Sequence, residues 1–146
     1  MIKEKTYVGC YAVVIENEMI ALIKKARGGY KGKLDLPGGG IEYKEMPNVT
    51  LKREIKEELG VNIKSYKLLD VTSNNIKWKM DDNLYEDLHH IGILYQASII
   101  DNELKKYPDG HDSNGANWYK ITDLKEENLT PFLIFSLKKL GYKLKQ

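Results

Sequence analysis

Glu45, Arg53, Glu54, Glu57 and Glu58 stand in one short stretch of the chain, and the run Gly38-Gly39-Gly40 comes just before them. Read as a helix, the stretch puts Glu54 three residues before Glu57 and four before Glu58, so the three carboxylates share a face. Like charges at that spacing repel by roughly 0.2–0.5 kcal/mol per exposed pair. If partly buried, they also compete to hold protons. A hard divalent cation relieves the repulsion and takes carboxylate oxygens as ligands. A solvated acidic helix face fits the same residues, and on the helix alone it is the simpler reading. The preceding Leu36-Pro37-Gly38-Gly39-Gly40 shifts the balance. Consecutive glycines allow positive φ and close approach of main chain to an ion or a phosphate. Pro-Gly also marks ordinary turns. Here the turn feeds an acidic helix, which brings backbone carbonyls and carboxylates toward one point.

The elements that must position these groups are legible in outline. Pro47 suits a first helical turn and Gly60 the position just past a helix end, which predicts a helix over Pro47–Leu59. Leu51, Ile55 and Leu59 repeat every four residues and give it one apolar face. Lys52 and Lys56 lie on the opposite side, and Arg53 is within reach of Glu57, four residues on. Strands are predicted at Tyr7–Ile15 and Met19–Lys25 around a turn at Glu16-Asn17-Glu18, with a short one at Leu34–Leu36 after a loop over Ala26–Lys33. Further strands are predicted at Ile63–Thr72, at His89–Ile99 and around Trp118-Tyr119. Thr130-Pro131 reads as a cap and first-turn proline opening a helix that runs to Gly141. Its Phe132, Leu133, Leu137 and Leu140 form an apolar stripe suited to a core. Strands interleaved with two helices predict a helix–sheet–helix sandwich.

Set out by spacing, Gly39 to Val61 reads GGIEYKEMPNVTLKREIKEELGV. This resembles the signature box of the Nudix hydrolases, G-x5-E-x7-R-E-U-x-E-E-x-G-U with U aliphatic, at every fixed position. The resemblance is strongest over residues 34–61 and loosely covers most of the chain. It implies an α/β fold, the Nudix α/β/α sandwich with a mixed sheet and a loop–helix–loop catalytic motif. It also implies Mg²⁺ or Mn²⁺ as cofactor and cleavage of a nucleoside diphosphate linked to another moiety. Carried over by position, Glu57 and Glu58 would be the main metal ligands, with Glu54 assisting and the Gly38 carbonyl completing the shell. Arg53 would orient a glutamate, and Glu45 would support the helix start. Two positions depart from common family usage: Lys44 stands where Gly is frequent, and Thr50-Leu51 where small residues are frequent. Both leave the chemistry intact and point to different local helix packing.

At 146 residues the chain is expected to be one domain, 1–146. The first residues, Met-Ile-Lys-Glu-Lys, carry no apolar signal region, and no run approaches membrane-spanning length. Cys10 is the only cysteine, which excludes an internal disulfide and fits a cytoplasmic setting. It lies in an apolar strand-like run and reads as a packed thiol. The net charge of +2 suits an anionic ligand. Only Arg27 and Arg53 are arginine and no basic run occurs, which argues against a dedicated nucleic-acid binder. Homodimers are common in the family, so a homodimer is a family-level expectation.

Other residues compete for roles. The polar loop from Asp101 to Asn117 holds Glu103, Asp109, His111 and Asp112. By the resemblance Asp112 is the first choice for a base or metal ligand, with Glu103 and Asp109 behind it; a turn-forming Asp fits equally. Arg27 and Lys24, with Lys25 nearby, are the cationic candidates for phosphate, alongside the Gly39 and Gly40 backbone. Tyr30, Trp78 and Tyr85 are candidates for stacking on a base or covering the core. His89 and His90 point to opposite faces of their strand, in structural roles. Ser73–Asp87 is polar with aromatics and acids, and is expected to be a loop over the cleft that sets specificity.

The leading expectation is a metal-dependent pyrophosphohydrolase acting on a nucleoside triphosphate, including oxidised ones. The short chain without an added N-terminal domain leans that way, as does the lack of a proline marking ADP-ribose members. ADP-ribose or a nucleotide sugar is the competing substrate class, because fold and box do not specify the leaving group. A non-catalytic nucleotide-binding module is the reading from another class, and a complete box argues against it.

Overall fold

The computed structural model describes residues 1–108 and 113–146. Two four-stranded sheets lie between two helices. The first contains β1 (Ile2–Val13), β5 (Gly38–Gly40), β6 (Ile63–Asp81) and β7 (Leu84–Ile99), in the order β5-β1-β7-β6. It is mixed, because β1 and β7 run parallel while the β1–β5 and β6–β7 pairs are antiparallel. The second sheet is antiparallel around β3 (Met19–Lys25), which pairs with β2 (Ile15–Glu16), β4 (Leu34–Asp35) and β8 (Ser113–Lys120).

Strand alternation divides the core. Cys10, Ala12, Val14, Ala21 and Ile23 pack against Leu51, Ile55 and Leu59 of α1 (Pro47–Leu59). Tyr11, Val13, Ile20 and Leu22 pack against Phe132, Leu133 and Leu137 of α2 (Pro131–Lys139). Successive residues of β1 and β3 therefore face different helices, as a period of two requires. Both helix stripes read from the sequence are buried, except that Leu140 ends up just past α2, half-buried. The predicted bounds of α1 hold to the residue. It ends on Gly60 at φ 74, a left-handed position that favours glycine.

The expected loop over Ser73–Asp87 is not a loop. It is the distal half of a hairpin in which β6 and β7 pair from Ile63↔Ile99 to Asp81↔Leu84. Asp81 Oδ1 accepts the Asn83 N–H at the turn, 2.9 Å away. Thr72, Asn74, Ile76 and Trp78 are half-buried while Ser73, Asn75, Lys77 and Lys79 are exposed. The alternation is present, but polar residues occupy both sides of it, so apolar periodicity alone misses the strand. Parallel pairing with the long β7 extends β1 back to Ile2, well before Tyr7.

Thr130 starts α2 without capping it. Its hydroxyl donates to Asp35 Oδ1 at 2.5 Å instead, and Asp35 Oδ1 also accepts the Leu36 N–H. That buried carboxylate ties the start of α2 to the segment leading into the glycine run. No helix of the described residues is long and apolar enough to cross a membrane.

Candidate active site

β5 lies against β1, with Gly38 opposite Tyr11 and Gly39 opposite Cys10. Gly38 sits at φ 147, and a Cβ there would stand 2.1 Å from the Cys10 carbonyl oxygen. A Cβ on Gly39 would stand 2.5 Å from the Glu54 carboxyl carbon. Gly38 therefore requires glycine, while at Gly39 a side chain would displace the Glu54 carboxylate that lies directly on the main chain. Beside it the Gly38 N–H donates to Glu58 Oε1 at 2.7 Å. The glycine backbone and the helix carboxylates thus lie together, but through the Gly38 N–H rather than the carbonyls expected there.

Arg53 organises the remainder. Its Nε and Nη2 hold the two carboxylate oxygens of Glu45 at 2.8 and 2.9 Å, a bidentate fork. Nη1 reaches Glu54 at 2.8 Å and, more loosely, Glu57 at 3.4 Å. Nη2 also donates to the Gly40 carbonyl at 3.2 Å. Thr50, buried at the first turn of α1, donates to Glu45 Oε1 at 2.5 Å. This answers the departure at Thr50: the hydroxyl becomes a second clamp on Glu45, a role the sequence reading missed. Its signal is spacing, since Thr50 lies one helical turn before Arg53 on the side of the glutamate both hold.

The three carboxylates of α1 differ in environment. Glu58 is buried, at 4% exposure, while the Glu57 side chain is 54% exposed. Burial pushes the Glu58 carboxyl well above the usual range, against the Gly38 N–H, and neighbouring Glu54 adds to the rise. Arg53 and then Thr50 hold Glu45 down at about 2. Among the described residues no three carboxylates, imidazoles or thiols are gathered closely enough to hold a metal ion by themselves. The arrangement is an arginine-braced set of oxygens along one rim.

In front of the set lies a cleft of about 240 Å³ that runs from Gly38 and Gly39 to Trp78, Glu86 and Leu88. Arg27 and Tyr30 line it. Lys24 does not; it is exposed, and Lys25, one residue on and therefore on the other face of β3, lines the cleft instead. Trp78 is in the cleft wall, whereas Tyr85 is exposed outside it. Of the two histidines, His90 faces the cleft and forms a 2.6 Å hydrogen bond with the Tyr11 hydroxyl. Burial, reinforced by Lys25, lowers His90 to about 4, so it is neutral at physiological pH. Cys10 is fully buried and its thiol is raised to about 11, as suits a packing residue. Asp109, His111 and Asp112 lie outside the described residues. Glu103 is exposed on the segment that docks on the end of α1, where Lys105 donates its backbone N–H to Leu59 and its ammonium to the Glu57 carbonyl.

Known proteins resemble this chain in sequence and fold. Residues 5–138 match the model of the NUDIX domain. The chain is 31% identical over 112 residues to an ADP-ribose pyrophosphatase of Methanocaldococcus jannaschii, covering 77% of this chain and 60% of that protein. It is 30% identical over 116 residues to the nucleoside triphosphatase NudI of Escherichia coli, covering 76% and 80%. It spans only 29% of a Caenorhabditis elegans relative that it also matches. A crystal structure of a MutT NUDIX hydrolase from Burkholderia pseudomallei superposes with a TM-score of 0.75 at 26% identity, over 94% of this chain and 99% of that one. With the box complete and the matched region reaching almost from end to end, the chain belongs to the Nudix hydrolase family.

Proposed function

We propose that this chain, acting as one domain, is a Mg²⁺-dependent pyrophosphohydrolase that cleaves an ordinary or oxidised nucleoside triphosphate to monophosphate and pyrophosphate. Mn²⁺ is the alternative ion. The observation that carries the reading is the buried Glu58 carboxylate on the Gly38 N–H, with Glu54 packed on Gly39 beside it. The donor set is all oxygen, which suits a hard cation. Among the described residues no ammonium or guanidinium pairs with Glu58, and a cation there offsets the cost of burying it. The Glu54, Glu57 and Glu58 side chains with the Gly38 carbonyl would hold the ion. When bound, it supplies Lewis-acid stabilisation of charge developing on phosphoryl oxygens.

The chain's own groups do the rest. Arg53 fixes Glu54 through Nη1 and Glu45 through its fork, so the rim is set before substrate arrives. Glu57, the carboxylate most open to solvent, accepts the proton of the attacking water, with Asp112 as the second candidate base. The Gly39 and Gly40 main chain with Arg27 and Lys25 meets phosphate oxygens, Lys25 taking the place expected of Lys24. The reaction runs in the cytoplasm, to which the buried lone thiol is suited.

The names of relatives divide between the two substrate classes. The chain covers 80% of the relative named a nucleoside triphosphatase but 60% of the one named an ADP-ribose pyrophosphatase. That favours the triphosphate and keeps ADP-ribose or a nucleotide sugar as the second reading. The test is product analysis on a panel of triphosphates, ADP-ribose and sugar nucleotides in Mg²⁺, with wild type beside Glu57→Gln. Wild type is expected to release pyrophosphate, and the variant to lose at least a hundredfold in kcat at unchanged Tm. A folded variant with wild-type turnover sinks the assignment.

A further inference from the structure

The far end of the cleft contains a carboxylate that the hydrolytic reading does not use. Glu86 is 93% buried, taken from its 7% exposure, and lines the same cleft as Gly38 and Gly39. It stands directly across the β6–β7 pair from Trp78, whose indole Nε1–H donates to Glu86 Oε1 at 2.9 Å. Among the described residues that is the carboxylate's one hydrogen bond, and no ion pair reaches it. A carboxylate accepts through both oxygens, at about four lone-pair sites. Holding one so deeply with a single donor is costly unless something else donates to it. Trp78 also braces the opposite wall, since a Cβ on Gly29 would stand 3.2 Å from Trp78 Cγ.

Position decides which part of a ligand arrives there. Gly92 pairs with Gly9, and Gly9 pairs with Gly40, so these three lie side by side at the phosphate end. Glu86 is six residues before Gly92 on β7, up to about 20 Å away at ~3.3 Å per residue. Glu86, Leu88 and His90 share one face of the strand and are all in the cleft. The Glu86 end is therefore where the moiety remote from the reacting phosphorus lies. A carboxylate rejects another anion, and the free acceptor calls for neutral donors. We infer that Glu86, fixed by Trp78, is the specificity-determining residue for that moiety, and that it selects a group presenting two adjacent N–H or O–H donors. Two nucleotide groups have this chemistry: the N1–H and 2-amino edge of guanine, and the vicinal diol of ribose.

The inference rests on the nucleotide-hydrolase reading, and the two fail differently. The experiment measures kcat/KM for GTP, ITP, ATP and 2′-deoxy-GTP, with wild type, Glu86→Gln and Trp78→Phe. Binding of the same four nucleotides to Glu57→Gln is followed by thermal shift. Gln keeps an acceptor for the indole and removes one from the ligand. Phe keeps the ring and removes the N–H. If the base is read, wild type prefers GTP to ITP by tenfold or more, and Glu86→Gln brings that ratio toward one. If the diol is read, the ratio of GTP to 2′-deoxy-GTP behaves so instead. Trp78→Phe lowers the same ratio partway at a Tm close to wild type. Turnover ratios unmoved in a folded Glu86→Gln overturn the inference and leave the hydrolase reading standing. Absence of both turnover and binding for every nucleotide overturns both.

Discussion

The glycine run with α1, residues 34–61, and the β6–β7 hairpin form two ends of one cleft but are built on different principles. In the first, position is enforced by charge and by the absence of side chains. Arg53 bonds to Glu45, Glu54, Glu57 and Gly40, Gly38 leaves no room for a Cβ, and Gly39 gives its space to the Glu54 carboxylate. Almost any substitution there breaks several contacts together. In the hairpin, position is enforced by a long backbone ladder, and side chains such as Trp78 and Glu86 decorate it in pairs. A ladder tolerates changes in what it carries. On the proposed function, chemistry belongs to the first region and discrimination to the second, since preorganised charge lowers barriers while a separate wall sorts ligands.

The sharpest way to break that division is to attack one bond in each region. Arg53→Ala leaves Glu45 without its fork and Glu54 without its brace. We expect a fall in kcat of at least a hundredfold and a lower urea midpoint, because two carboxylates lose their charged partner. Trp78→Ala should raise KM by about tenfold with little change in kcat, as removal of uniform binding does. A Trp78→Ala variant that instead lost kcat alone would erase the distinction. Gly39→Ala is the next test. The added methyl displaces the Glu54 carboxylate, and kcat should fall more than tenfold with KM little changed. Turnover at the wild-type rate would mean that Glu54 does not need to lie on the main chain.

The two regions also differ in how far the residues disclosed them. The α1 bounds, Pro47–Leu59, were readable because proline, glycine and a four-residue apolar repeat all mark them locally. The fixed spacing of Glu45, Arg53, Glu54 and Glu58 gave the site its members. What it hid was inequality: the burial of Glu58 depends on strands far away in sequence, and periodicity places three glutamates on one face alike. The hairpin hid more. Asn74, Asn75, Lys77 and Lys79 look like loop residues, and only cross-strand pairing to Leu84–Asp87 makes the alternation structural. Lys24 and Lys25 are equally hard to tell apart in the sequence, since the face of a strand is set by which residue enters the core. Glu86 was readable only as the start of the Glu86, Leu88, His90 alternation, once His90 was known to face the cleft.

His90 joins the two regions, and pH tests the join. Its folded value of about 4 lies below the ordinary 6.5, so the unfolded chain binds more protons between those values. Stability from this group is complete above about 6.5 and is lost as pH falls toward 4. The shift corresponds to about 3 kcal/mol at most. Glu58 is shifted up and works in the opposite sense, so the comparison must be made between wild type and His90→Asn. The wild-type urea midpoint should fall more steeply than the variant's from pH 6.5 to 4. Parallel curves would mean that His90 gains access to solvent when protonated and that the Tyr11–His90 contact is not rigid. Below about pH 4.5, protonation of Glu45 should weaken the other region in turn, down to its value of about 2.

The smallest expected effect concerns the departure at Lys44. It holds φ 63, a left-handed conformation that costs a residue with a Cβ about 1 kcal/mol or more. The residue is exposed and immediately precedes Glu45, so the strain is borne at the entrance to the braced set. Lys44→Gly removes the strain but frees the unfolded chain, which returns about 0.4–1 kcal/mol. A net stabilisation of about 0.5 kcal/mol, or a rise of about 1–2 °C in Tm, is expected with unchanged kcat. The control is Lys52→Gly, exposed within α1, which should destabilise by about 1 kcal/mol. If both substitutions lowered Tm equally, Lys44 would be held by interactions that outweigh its backbone. The region would then owe its order to side chains even where the main chain is strained, which is the opposite of what the hairpin does.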